Sequence, residues 1–172
     1  IGSNAGAANT TGAIIAIGTG ALDANTTGAE NVAVGSHALG ANLDTHNNTA
    51  FGSYALSTNT GGQNTAVGKN ALIVNTTGGY NVALGAYALD AATTASNNTA
   101  LGAGSLGVTV TGADNVAVGT DALAANTASY NTAVGRYALT TNTTGANNTA
   151  VGQKAAYSST TGVRNTVVGD NA

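Results

Sequence analysis

The stretch Asn64-Thr65-Ala66-Val67-Gly68 occurs again, letter for letter, at 131–135 and at 148–152. Close variants such as NVAVG at 31–35 and NVALG at 81–85 fill the intervals. The glycine that closes this motif recurs every 17 residues, or every 16 at three places, along the whole chain. A fixed period of this length predicts a repeat architecture and takes precedence over local secondary-structure signals.

Each unit carries the same residue types in the same columns. An alanine lies two residues before the closing glycine in every complete unit except the last, which has Val167, and Val, Leu, Ile or Phe lies directly before the glycine. An Ala-Leu pair follows the glycine, and a polar corner such as Asn-Thr-Thr-Gly completes the unit. An asparagine column lies four residues before the glycine: Asn31, Asn48, Asn64, Asn81, Asn98, Asn115, Asn131, Asn148 and Asn165.

The apolar positions lack helical spacing, and Gly and Asn recur too often for helices. Short strands between Gly/Asn/Thr turns fit the pattern, and we expect two strands and two corners in each unit. One such unit buries too little alone, so the units must stack. The sequence therefore predicts an all-β, parallel β-solenoid (β-roll) of about ten 16–17-residue coils, on the order of 50 Å long. Residues 1–172 form a single array, which begins and ends within a repeat and is expected to be a segment of a longer fibre.

The columns predict a role for each position that recurs from unit to unit. The closing glycine is free to adopt a positive φ at a corner, because it has no Cβ. The asparagine before each strand is suited to bond turn backbone groups and the asparagine of the next coil, as a structural ladder. The shorter units lose one residue in the polar corner, as at 59–63 and 126–130, so the strand register is expected to survive.

Both faces of each predicted strand are partly apolar, because alanine stands next to the larger aliphatic residue. A strand that is apolar on both faces is typical of burial on both sides. We therefore expect one face to fill the coil and the alanine face to pack against another chain. The alternative is that the alanines face solvent, where exposed alanine is common.

Composition excludes several classes of function. Charged residues make up 6 % of the chain, with only 4 Lys and Arg, so a nucleic-acid partner is not expected. There is no Cys, which excludes disulfides and thiolate metal sites. No apolar run approaches the length of a membrane span.

No converging set of catalytic residues stands out, so we expect no enzyme, no cofactor and no metal site. The histidines are His37 and His46, and the acids are scattered through the corners. The Gly-rich runs at 61–62 and 78–79 lack the Lys-Ser/Thr of a phosphate loop and are interpreted as turns.

Aromatic residues offer a candidate contact surface. Tyr54, Tyr87, Tyr137 and His37 share one column, two residues after the closing glycine, and Tyr80 and Tyr130 lie just before the asparagine column. Such rings could cover the rim of a subunit interface, or they could contact a sugar or a protein receptor.

Two further patterns lie in the polar corners. One is a threonine column, which comprises Thr10, Thr26, Thr60, Thr76, Thr93, Thr127, Thr143 and Thr160. A flat array of these hydroxyls could order water, so an ice-binding β-solenoid is the alternative function. Asn-x-Thr glycosylation sequons also recur, at Asn9, Asn25, Asn47, Asn75, Asn97, Asn142 and Asn147, in corners that require Asn and Thr in any case.

The string [NS]-x-A-[VI]-G followed shortly by Ala resembles the head repeats of trimeric autotransporter adhesins, most closely at 31–35 and 13–21. The longer N-T-A-V-G…A-L…N-T-T-G form also resembles β-strand repeats of bacterial and phage tail-fibre-like proteins. The adhesin unit is about 14 residues, shorter than this one. The resemblance implies an extracellular fibre on a cell or virion surface, homotrimeric or joined end to end, that contacts a host glycan or protein receptor.

Overall fold

The computed structural model describes residues 1–172 and contains ten short strands and no helix. The strands are β1 (Ile14–Ile17), β2 (Asn31–Val34), β3 (Thr49–Phe51), β4 (Thr65–Val67), β5 (Val82–Leu84), β6 (Thr99–Leu101), β7 (Val116–Val118), β8 (Thr132–Val134), β9 (Thr149–Val151) and β10 (Thr166–Val168). They form one parallel sheet in sequence order, so every strand pairs with the same strand of the next coil. The predicted all-β parallel solenoid is confirmed, with nine turns between its first and last strands.

The register follows the sequence columns throughout the sheet. Ala33 pairs with Ala50, and Ala50 pairs with Ala66, although the second interval is one residue shorter. The shorter coils lose their residue in the polar corner, where the amide of Asn59 spans two residues to Gly61 O instead of the three that Asn75 spans to Gly78 O. Shortening therefore changes the corner and leaves the strand alignment intact.

The prediction of two strands in each coil is wrong, because only the Asn-x-Ala-x segment is a strand. The Ala-Leu segment is a stacked turn in which leucine has a positive φ, as at Leu39 and Leu72, both 51°. Each of these leucines donates its backbone N–H to the next coil, for example Leu39 N to Ala55 O at 3.0 Å. The segment is thus bonded to its neighbours without extended backbone.

The alanine columns lie inside the coil, which corrects the expectation that they face other molecules. Ala50 in the strand and Ala55 beside the leucine are completely buried within the single chain, as is Leu56. Neighbouring side chains in a strand point to opposite faces, so the larger aliphatic residue next to each alanine points outward. The interior is therefore thin and is filled by alanine, leucine and asparagine columns.

Candidate contact surface

The aromatic column predicted from the sequence lies on the outside of the stacked turns. His37, Tyr54, Tyr87 and Tyr137 all have positive φ, between 55° and 61°. Asn70 and Asp121 hold the same conformation in the same column and separate these rings along the stack. The structure therefore groups the column into local clusters and does not form one continuous aromatic row.

Two of these clusters bring neighbouring rings together. The rings of His37 and Tyr54 stack with centroids 5.1 Å apart. Tyr137 meets Tyr157 edge to face at 6.5 Å, and the guanidinium of Arg136 lies 4.5 Å from the Tyr137 ring centroid. Arg136 also donates to the Tyr137 hydroxyl at 3.0 Å, so this ring is held by a cation and by an aromatic neighbour.

Tyr87 instead borders a shallow apolar groove on the same side of the stack. Ile73, Val74 and Val108 line the groove, and it opens where Gly104 and Gly107 carry no side chain. Asp90 also lines it, and burial raises the pKa of this carboxyl above its ordinary value, although two backbone N–H groups partly oppose the shift. The repeat pattern did not indicate this groove, because it forms beside the one coil in which glycine occupies both the column of Tyr87 and the column of Asp90.

The outward side chains of the ten strands form a second surface, which we call the sheet face. It comprises two columns: Ile15, Val32, Thr49, Thr65, Val82, Thr99, Val116, Thr132, Thr149 and Thr166; and Ile17, Val34, Phe51, Val67, Leu84, Leu101, Val118, Val134, Val151 and Val168. None of these residues is buried within the chain. Tyr80 and Tyr130, 63 % and 62 % exposed, lie two residues before β5 and β8 and so flank this face.

The asparagine column before the strands forms a hydrogen-bonded ladder inside the coil. The Oδ1 of Asn81 accepts the backbone N–H of Asn98 at 3.0 Å, and the Asn81 amide donates to Ala95 O at 2.8 Å. Each asparagine from Asn31 to Asn148 thus bonds the next asparagine, and all of these except Asn48 also donate to a corner carbonyl of the next coil. Asn31 through Asn148 are almost fully buried, and Asn165 at the end of the stack is exposed.

A second buried asparagine column, in the polar corner, was not predicted to form a ladder. Asn25 donates to Asn9 Oδ1 and Asn42 donates to Asn25 Oδ1, both at 2.8 Å. Four asparagines of the sequons lie in this column: Asn25, Asn75 and Asn142 are buried, and Asn9 in the first coil is half-buried. The other three, Asn47, Asn97 and Asn147, are exposed. The recurrence of Asn seven residues after the closing glycine was the available signal.

The threonine column of the corners is largely exposed, but its hydroxyls are used within the stack. Thr60 Oγ1 donates to Thr76 O at 2.7 Å, and Thr127 Oγ1 donates to Thr143 O at 2.9 Å. Each of these hydroxyls therefore offers only its lone pairs to surrounding water. Threonines of the sheet face, such as Thr65 and Thr99, make no side-chain hydrogen bond within the chain.

Ionisable side chains do not come together in a metal-binding arrangement. No group of three or more His, Asp or Glu side chains is placed to hold a metal ion. His46 Nδ1 accepts the backbone N–H of Ala29 at 2.9 Å, so this histidine links the polar corners of two successive coils. No helix of sufficient length and hydropathy to cross a bilayer is present.

Comparisons with protein-family models, with curated proteins and with solved structures find no match to this chain.

Proposed function

We propose that this chain is a structural and adhesive fibre segment: a rigid rod on a cell or virion surface that presents side chains for attachment. The observation that carries the proposal is the unbroken, in-register stack of ten strands. Every coil bonds to the next through its strand, its leucine turn and its asparagines. Such nearest-neighbour stacking gives a stiff rod whose length follows the number of coils.

The rod is tested by doubling its length. A tandem chain of residues 1–169 followed by residues 3–172 keeps every column in register across the junction. Small-angle X-ray scattering should then give a maximum dimension close to twice that of the single array. Compact packing of the two halves would increase the dimension only about 1.3-fold, and that result would contradict the rod.

The proposed attachment surface is the aromatic column of Tyr54, Tyr87, Tyr137 and His37, with a glycan or a protein receptor as the partner. Support comes from the partial exposure of these rings and from the apolar groove beside Tyr87. Aromatic rings of this kind pack against the apolar faces of sugars and against protein side chains. The extracellular location and the homotrimeric state of the fibre are part of the same proposal and rest on the adhesin-like and fibre-like repeats.

Attachment is tested with the triple substitution Tyr54→Asn, Tyr87→Asn and Tyr137→Asn. Asparagine already occupies this column at Asn70 with φ 59°, so the backbone should be undisturbed. On arrays of immobilised oligosaccharides and extracellular-matrix proteins, we expect binding by the native chain and a loss of at least tenfold in the variant. Equal binding by the two proteins would remove the column from the proposal.

Ice binding through the corner threonines remains the alternative prediction. The hydroxyls of that column repeat with the coil spacing but donate to backbone carbonyls, as Thr76 does to Thr93 O. A thermal-hysteresis measurement on the purified chain decides between the two functions, and a clear freezing-point gap would favour the alternative.

A further inference from the structure

We propose that the sheet face is the surface through which copies of this chain pack against one another. The inference deepens the proposed fibre by assigning its self-contact to the outward strand residues, in place of the alanines. The composition, size and periodicity of that face support it.

The sheet face is regular and uncharged, and 14 of its 20 side chains are apolar while the other six are threonines. Its two columns contain only Ile, Val, Leu, Phe and Thr, although the chain has 4 Lys and Arg and 7 Asp and Glu. Phe51 is 56 % exposed and Leu84 is 48 % exposed. The column from Ile17 to Val168 is apolar without interruption, and a continuous exposed apolar surface marks an interaction site.

The rim of the sheet face is polar, as expected for a protein interface. Glu30 lies directly before β2 and Asp114 lies two residues before β7. Lys69 and Arg136 lie one residue beyond the closing glycines. Tyr80 and Tyr130 flank the apolar columns on the side where the strands begin. An uncharged apolar centre within a polar and aromatic rim is the usual anatomy of a protein–protein contact.

The area is sufficient for a stable contact between two copies. Nine strand steps of about 4.8 Å give a length of about 43 Å, and two side-chain columns span a width of about 12 Å. The face therefore covers about 500 Å², or about 1,000 Å² over two copies. That total reaches the lower bound of about 1,000 Å² for a specific interface, before the flanking tyrosines are included.

Periodicity favours a second copy over other occupants. A partner must match a spacing of about 4.8 Å over the full length of the face. Another copy of the chain has this spacing, because its own strands are stacked at the same distance. The side chains of one copy's sheet face can then fit between the side chains of successive coils on the other copy. Ice would require a flat surface, whereas Phe51, Leu84 and Leu101 are larger than the valines of the same column.

The test places charge at the centre of the face, in the double variant Leu84→Glu and Leu101→Glu. Sedimentation at about 10 µM should show an oligomer for the native chain and a 16.4 kDa monomer for the variant. Because a buried unpaired carboxylate is strongly disfavoured, we expect self-association to weaken at least 100-fold. The matched control, Thr77→Glu and Thr94→Glu, adds the same charge at exposed corner positions of the same two coils and should remain oligomeric.

Folding is followed by circular dichroism, and Phe51→Thr, Leu84→Thr and Leu101→Thr replace the glutamates if these prevent folding. A native chain that is a rod-shaped monomer at 100 µM would overturn the sheet-face contact while leaving the proposed rod intact. Oligomers that persist in the folded sheet-face variants would also overturn it. A monomer whose thermal hysteresis is lost in the Leu84→Glu variant would assign the face to ice instead.

Discussion

The closing glycine of each coil lies where the chain leaves the strand and meets the same glycine of the next coil. Gly68 has φ 133°, and a Cβ added there would lie 2.6 Å from the carbonyl carbon of Gly85. A side chain at this position would be strained by its backbone conformation and would also push the coils apart. The column therefore fixes the close approach of successive coils.

The substitution Gly68→Ala should lower the free energy of unfolding by at least about 3 kcal/mol. Gly40→Ala is the matched control, because a Cβ there has no neighbour closer than 3.4 Å and the residue does not have a positive φ. Denaturant unfolding of the two variants measures the difference. Equal losses in both would show that the corner glycine is not required.

Buried leucine in the left-handed region is the most unusual backbone feature of the chain. Leu22, Leu56 and Leu139 have φ between 50° and 51°, a conformation that costs a residue with a Cβ roughly 1–2 kcal/mol. Full burial of a leucine side chain contributes about 1.5–3 kcal/mol, which offsets that cost. The turn is therefore maintained because it directs leucine into the core.

Asp90 makes stability depend on pH. Burial in the groove beside Tyr87 raises its pKa, so the folded chain binds more protons than the unfolded chain in the window between pH 3.8 and this raised pKa. Stability from this group falls as pH rises through that window. Asp90→Asn should therefore raise the melting temperature at pH 7, and the gain should disappear below pH 3.8. Thermal unfolding across this pH range checks the sign, and a variant that is less stable at pH 7 would contradict it.

Within a coil, the corner asparagine and the residue three positions later act as a pair. A Cβ at Gly78 would lie 2.5 Å from Asn75 Oδ1. Glycine also follows Asn25 and Asn142 at this spacing, whereas Thr45 follows Asn42. The next coil has Ala92 and Ala95 in these positions, and Asn75 Oδ1 has no hydrogen-bond partner. Asn142 Oδ1 is unpartnered in the same way below Ser159. The ladder is thus directional, and a missing amide in one coil leaves an acceptor unpaired in the coil before it.

The double substitution Ala92→Asn and Ala95→Gly should raise the free energy of unfolding by about 1 kcal/mol, because the new amide donates to Asn75 Oδ1. Ala92→Asn alone should destabilise the chain, since the Ala95 methyl occupies the space that the new oxygen needs. Denaturant unfolding compares the two variants. A more stable single variant would contradict the pairing.

At the scale of the whole molecule, the solenoid is a one-dimensional stack in which each coil contacts only its neighbours. All strand contacts in the structure are between consecutive strands. The molecule should therefore tolerate the loss of whole coils but not of partial ones.

Deletion of residues 69–85 removes 17 residues and joins Gly68 to Ala86 with every column preserved. We expect a folded rod, shorter by about 4.8 Å and slightly less stable. Deletion of residues 69–76 shifts the columns by half a coil and should prevent cooperative folding. Circular dichroism and thermal unfolding distinguish the two outcomes. A 17-residue deletion variant that is unfolded would contradict the expectation that a whole coil can be removed.

The 16–17-residue period, the parallel stack, the asparagine ladder and the site of shortening could all be read from the sequence, because identical columns become continuous only when coils stack in register. The sequence could not show which apolar columns point into the coil and which point outward. Ala66 and Val67 are both apolar, and hydropathy gives neither of them an inward direction. The leucine turn could not be predicted either, since nothing in the sequence distinguishes a leucine in a strand from a leucine with positive φ. Tertiary structure decided these points because the coil interior is thin: it accommodates alanine opposite leucine and leaves the larger strand residues outside.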